Sequence, residues 1–190
     1  MKNLLTAFLL VVLLAGFYGC AGTLPGADFK KPIADAHRLC VNDEASVKVA
    51  AVGDVVLTDT VRQRLETGLR DAINARKKAV PCKTDDKRSF VLDSKITRYE
   101  EGNAVARLML AGLGQIHVDG DFALLLTSAT GSEPACEFSL NKTFAWGGLY
   151  GGMTRMEDIE TTFCKAVAEA IVGNASEKTE APANQGEAQK

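Results

Sequence analysis

Apolar and polar positions recur along this chain with two periods, and the switches between them outline its elements. From Gln115 to Thr127 the period is two. Ile116, Val118, Phe122, Leu124 and Leu126 alternate with Gln115, His117, Asp119, Asp121 and Thr127, which predicts a strand with one buried face. After a Thr130-Gly131-Ser132 turn, Ala135 to about Phe144 repeats the pattern with Cys136, Phe138 and Leu140 inward. Ser89 to Tyr99 carries Phe90, Leu92 and Ile96 on one face, and Ala45 to Val52 gives a weaker strand closed by Gly53-Asp54.

Elsewhere the spacing is three and four. Val61, Leu65, Leu69, Ala72 and Ile73 predict a helix capped by Thr58 or Asp59, with basic Arg76, Lys77 and Lys78 at its negative end and Pro81 beyond. A second helix runs from about Met156 to Val172 on the stripe Ile159, Phe163, Val167, Ala170 and Ile171, stopped by Gly173-Asn174. The expected order is β-α-β-β-β-α. One-sided strands need a cover, so the economical architecture is an α+β two-layer sandwich: about four strands with two helices on one face.

The ends of the chain have other patterns. Lys2, an apolar run from Leu4 to Phe17, and Gly19 before Cys20 have the three regions of a cleaved secretion signal, so residues 1–19 read as a lipoprotein signal peptide. Only Gly19 fits the usual residues before a lipidated cysteine, since Phe17 and Tyr18 stand where small or aliphatic residues are common. A signal cut elsewhere and an uncleaved helix remain the alternatives. Cleavage would leave Cys20 to carry diacylglycerol and an N-acyl chain, and several acyl chains hold a protein durably on a bilayer. Ala21 follows in place of an inner-membrane-retaining aspartate, which points to the periplasmic face of the outer membrane. Residues 20–37, with Gly22, Pro25, Gly26 and Pro32, read as a lipidated tether, 38–173 as the domain, and 174–190 as a disordered tail poor in apolar bulk.

Lys and Arg number 22 against 24 Asp and Glu, which leaves no broad basic field for nucleic acid. Four further cysteines, Cys40, Cys82, Cys136 and Cys164, make disulfides the default in an oxidising compartment. Layer geometry favours Cys40–Cys82, at one end of the strand–helix unit, and Cys136–Cys164, on facing layers; two buried free thiols are the alternative for the second pair. No cysteine pair has zinc spacing and His37 and His117 lie far apart, so no metal or other cofactor is expected.

Two glycine-bearing segments stand out. Glu101 to Gly114, with Gly102, Asn103, Arg107, Gly112 and Gly114, is too apolar for an idle loop. The first expectation is a short helix packed on the sheet, held by backbone hydrogen bonds from Asn103 and Arg107. The functional alternative is an exposed ridge that meets a partner protein or a bilayer. Trp146 to Met153 reads as a mobile loop whose Trp146, Leu149, Tyr150 and Met153 form a contact patch. Neither segment has phosphate-loop or dinucleotide spacing. His117, Asp119 and Asp121 share a strand face without the signature of a catalytic group, so no enzyme is expected.

Ile96 through Arg107, with its Gly102-Asn103 and Arg107, then Gly112-Leu113-Gly114, the long alternating strand and Thr130-Gly131, resemble a bacterial lipoprotein family known as domain of unknown function 4410. The likeness runs from about Val47 to Val172. It implies an exported α+β domain and supplies no substrate. The expectation is a non-enzymatic, lipid-anchored module that works with an envelope protein complex; a periplasmic binder of a small apolar ligand, held between helices and sheet, is the alternative.

Overall fold

The computed structural model describes residues 25–110, 112–128 and 131–172. The signal segment, Cys20 and the C-terminal tail lie outside the described residues. The order is β1 (Ala27–Lys31), a 3-10 turn (Asp35–His37), β2 (Glu44–Ala51), α1 (Asp59–Lys77), β3 (Ser89–Glu100), α2 (Ala104–Met109), β4 (Ile116–Ser128), β5 (Gly131–Phe144), α3 (Gly148–Met153) and α4 (Met156–Ile171).

The fold is α+β, with five strands rather than about four, in the order β1-β5-β4-β3-β2. β2 and β3 are parallel, joined across α1, and the other pairings are antiparallel. The added strand, β1, falls where the sequence reads as tether. It is short, and its one large apolar side chain, Phe29, packs on Phe138 with ring centroids 5.5 Å apart. Lys30 and Lys31 keep this edge charged, as suits an edge strand that must not recruit another chain.

Core packing follows the predicted faces. Phe90 lies opposite Leu126, Leu92 opposite Leu124 and Ser94 opposite Phe122 in the β3–β4 ladder. Phe122 stacks on Phe138 at 5.1 Å and meets Phe163 of α4 at 5.7 Å. Leu65, Leu69 and Ile73 of α1 and Ile159, Phe163, Val167 and Ile171 of α4 complete one continuous core. Thr58 Oγ1 accepts from Val61 N at 3.3 Å to cap α1, and Arg155 N donates to Asp158 Oδ2 at 3.0 Å at the start of α4. Buried Glu160 on α4 ties three elements together. It accepts from Arg64 of α1 at 2.6 and 2.8 Å and from the Tyr99 hydroxyl of β3 at 2.6 Å. Burial, reinforced by Glu160, pushes the Tyr99 phenol well up.

Cys40 and Cys82 form a disulfide at the end of the molecule away from α2 and α3, with Cα atoms 5.1 Å apart. Arg88 is bidentate on Asp43 there, at 2.9 and 2.6 Å, and Asp43 also accepts from Cys40 N at 2.9 Å. Cys136 and Cys164, expected as a second bridge, are instead free buried thiols. The cause is helix rotation. Phe163 takes the position over the sheet, and the next residue points about 100° away, towards α1. The Cys164 Sγ lies 3.2 Å from where a Cβ on Gly68 would stand.

Burial pushes the Cys136 thiol up to about 11 and Cys164 to about 12. An unfolded thiol ionises near pH ~8.5, so above that the folded state holds more protons than the unfolded chain. The stabilisation from both thiols is therefore complete below about pH 8.5 and is lost as pH rises towards the folded values. Urea midpoints should be level from pH 6 to 8 and then fall. Cys136→Ala combined with Cys164→Ala should flatten the first part of that fall, leaving Tyr99 to act above about pH 10. A level profile to pH 10.5 in the unsubstituted protein would contradict thiol burial.

Candidate functional site

β3 ends, β4 begins and β5 ends at one edge of the sheet, where Glu100 lies opposite His117 and Ile116 opposite Phe144. The chain leaves and re-enters there through a narrow neck. Gly102 and Gly114 both have positive φ, 64° and 66°. A Cβ on Gly102 would stand 2.0 Å from the Gln115 carbonyl, and one on Gly114 2.2 Å from the Asn103 carbonyl. Only glycine combines that backbone with that approach. Between the two, Asn103 N donates to Gly114 O at 3.1 Å, and Asn103 Oδ1 accepts from Ala106 N at 3.0 Å to cap α2.

Arg107 joins this loop to the next. It is 3% exposed, and its guanidinium spends its donors on four main-chain carbonyls. Nε donates to Gly151 at 2.9 Å, Nη1 to Gly114 at 2.6 Å and Glu101 at 3.1 Å, and Nη2 to Thr154 at 3.2 Å. Two of the acceptors are at the C-terminal end of α3, where helix carbonyls have no partner of their own. The absence of a side chain at Gly152 lets α2 approach, since a Cβ there would stand 3.1 Å from the Leu108 Cβ. The second segment is thus a helix and not the mobile loop expected. The first is the expected short helix, but it packs on α3 instead of the sheet.

That pairing turns the apolar side chains outward. Nine of the twelve large hydrophobic side chains exposed among the described residues belong to these two segments. Val105, Leu108, Met109, Leu110 and Leu113 come from the first, and Trp146, Leu149, Tyr150 and Met153 from the second. Met109 is 74% and Leu149 71% exposed, while Tyr150 leans its ring on Phe144 at 6.0 Å. The outcome is an apolar ridge on a rigid, internally hydrogen-bonded mount. Gly112, the remaining candidate glycine, donates its N–H to Ala145 O at 3.1 Å and links the ridge to the exit of β5.

The other candidates do not converge. His117, Asp119 and Asp121 share the outer sheet face; His117 and Asp119 lie among the Arg98–Glu100 ion pair, and Asp121 has neighbours of its own. His117 Nδ1 lies 3.0 Å from Thr143 Oγ1, and Asp121 accepts from Ser139 at 2.6 Å and Lys30 at 3.3 Å. Burial holds the Asp119 carboxyl above its usual range. Among the described residues, no three His, Cys, Asp or Glu side chains cluster as metal ligands, and no helix is long and apolar enough to cross a membrane. A groove of about 650 Å³ lies between α1 and α4, floored by Gly68, Ala72, Ala75, Cys164 and Ala168. It lies between two helices and not, as anticipated for an apolar ligand, between helices and sheet.

Gly151 and Thr154 are the functional partners missed from sequence. Their signal was a lone arginine in an otherwise uncharged stretch, which must find acceptors if that stretch packs.

The family model described as Domain of unknown function (DUF4410) matches residues 45–148. None of the curated proteins matches the chain. Two solved structures similar to it are dodecamers of PelC from Paraburkholderia phytofirmans. A single-site variant aligns at 14% identity with a TM-score of 0.50, covering 78% of this chain and 99% of that one. The other aligns at 14% identity and 0.49, covering 76% and 96%. A minor lipoprotein from Acinetobacter baumannii aligns at 14% identity with a TM-score of 0.33, covering 70% and 92%. At such identities the likeness to PelC is one of fold.

Proposed function

This chain belongs to the DUF4410 family, and from that premise we propose that it is an exported, lipid-anchored accessory protein of the bacterial envelope, on the periplasmic face of the outer membrane, and that its working part is a contact surface and not a reaction centre. The observation that carries this reading is the ridge. Exposed side chains such as Met109 and Leu149 cost solubility, and a buried arginine with four carbonyl acceptors is a large investment in holding them in place. Monomeric surfaces rarely keep so concentrated an apolar patch without using it.

The signal pattern supplies the location: Cys20 carries the acyl chains, and the domain hangs from them. Mass spectrometry of the mature N-terminal peptide should find Cys20 with diacylglycerol and an N-acyl chain, and density fractionation should place the protein with outer membranes. A mature N-terminus other than Cys20, without lipid, would overturn the reading. A Cys20→Ser variant should accumulate as uncleaved precursor.

The groove between α1 and α4 favours one second reading, a site for a small apolar ligand. Native mass spectrometry of protein released gently from membranes would show a bound small molecule if that reading holds.

A further inference from the structure

The ridge and the point where the chain enters the sheet at Ala27 lie towards the same end of the molecule. β1 is antiparallel to β5 and enters the sheet with Ala27 opposite Leu140. Only four residues of β5 separate Leu140 from Phe144, a rise of ~13 Å, and the ridge begins just beyond Phe144. Traced backwards from Ala27, the strand direction leads towards the ridge and away from the disulfide. Cys20 is seven residues upstream of Ala27, so even a fully extended link reaches at most ~25 Å. A protein fastened at Cys20 therefore keeps this end within reach of its membrane.

The chemistry of the ridge suits that position. Residues 104–114 and 146–153 contain no Asp, Glu or Lys, and their one charge, Arg107, is buried under carbonyls. Protein-facing patches carry a polar, partly charged rim, whereas a surface entering lipid headgroups and acyl chains must shed exposed charge. Trp146 and Tyr150 are the residue types that settle at a membrane–water boundary.

We propose that the α2–α3 ridge is a second membrane contact, which inserts its apolar side chains into the leaflet that holds the acyl chains and so fixes the domain's orientation on the bilayer. This rests on the lipid-anchor reading above. With acyl chains and ridge both engaged, the sheet edge with Glu100 and Phe144 faces the membrane, and the end with the Cys40–Cys82 bridge points into the periplasm.

Trp146 is the sole tryptophan of the chain, so its fluorescence reports the ridge alone. The full-length protein, purified from membranes and reconstituted into phosphatidylethanolamine–phosphatidylglycerol vesicles with brominated acyl chains, should show blue-shifted emission and quenching that is strongest for bromines near the headgroups. Leu149→Glu and Met109→Glu, at two of the most exposed positions, should abolish most of the quenching. Both variants should still float with vesicles and keep the parent circular dichroism. If the protein floats and carries acyl chains on Cys20 while Trp146 stays unquenched with water-like emission, the ridge does not enter lipid and the proposal fails, although the anchor stands. A rise in crosslinked mass under those conditions would assign the ridge to a second copy or another protein. If the N-terminal peptide lacks acyl chains and the protein does not float, the anchor reading itself falls and takes this proposal with it.

Discussion

Arg107→Ala should unmake the ridge while most of the sheet survives. Four carbonyls lose their donor at once: Gly151, Gly114, Glu101 and Thr154. A hydrogen bond from a charged group contributes about 1.5–3 kcal/mol, and a buried polar group left alone costs about 1–3 kcal/mol. Water entering the partly open sites will recover some of this, so a loss on the order of 4 kcal/mol is expected. Much of that loss should be local, because α2 and α3 touch each other more than they touch the core. Trp146 fluorescence should therefore report unfolding of the ridge at a lower urea concentration than circular dichroism reports for the sheet. In the parent protein the two transitions should lie closer together. Arg107→Lys keeps the charge but has one nitrogen in place of a planar fork, so it cannot span both loops and should recover only part of the stability. Coincident, unshifted transitions in Arg107→Ala would show that the guanidinium does not hold the two segments.

Opening the Cys40–Cys82 bridge should be comparably costly at the opposite end. The bond closes a loop with a sequence separation of 42, for which chain-entropy accounting gives ~4 kcal/mol. It fastens the segment before β2 to the turn after α1, where Val41 N donates to Val80 O at 2.9 Å and Leu39 N to Ile171 O at 3.0 Å. The first is a single bond between loops, and the second belongs to an isolated bridge that ties Leu39 to the end of α4. Arg88 on Asp43 adds a second clasp, and that ion pair should keep the region folded, though weaker, after reduction. A Cys40→Ala/Cys82→Ala protein, unfolded in urea beside the oxidised parent, should lose ~4 kcal/mol, with a somewhat steeper denaturant slope because its unfolded chain is less compact. An equal midpoint for the two would mean that the clasp alone secures this end.

The two predictions also separate what each end of the sheet does. The disulfide end is held by covalent and ionic links and, among the described residues, presents no large apolar ridge. The opposite end uses a buried arginine, hydrogen-bonded to main-chain carbonyls, to mount apolar side chains in the open. Nothing in the core requires those side chains to be there: the sheet and its two covering helices bury their own faces without α2 or α3. The ridge is therefore a surface carried by the fold, and its chemistry is where function is to be sought.

The periodic signals needed no tertiary information to read. Alternation along Gln115 to Thr127 and the three-four spacing of Leu65, Leu69 and Ile73 arise from side-chain direction along a single element, and α1, α4 and β2 to β5 form within a few residues of where those patterns place them. The neck was legible too, as Gly102-Asn103, Arg107 and Gly114, because positive φ and helix capping restrict residue type locally. Tertiary structure decided the rest. β1 has one large apolar residue and becomes a strand only because β5 offers an open edge beside Phe138. Cys164 faces Gly68, not Cys136, because rotation of α4 is set by Phe163 seating on Phe122. The two glycine segments, over thirty residues apart in sequence, become one ridge because Arg107 finds its acceptors across that distance. Periods record which way a side chain leaves its own backbone; which neighbour it then meets depends on pairing and rotation, and these are settled only when all the elements pack together.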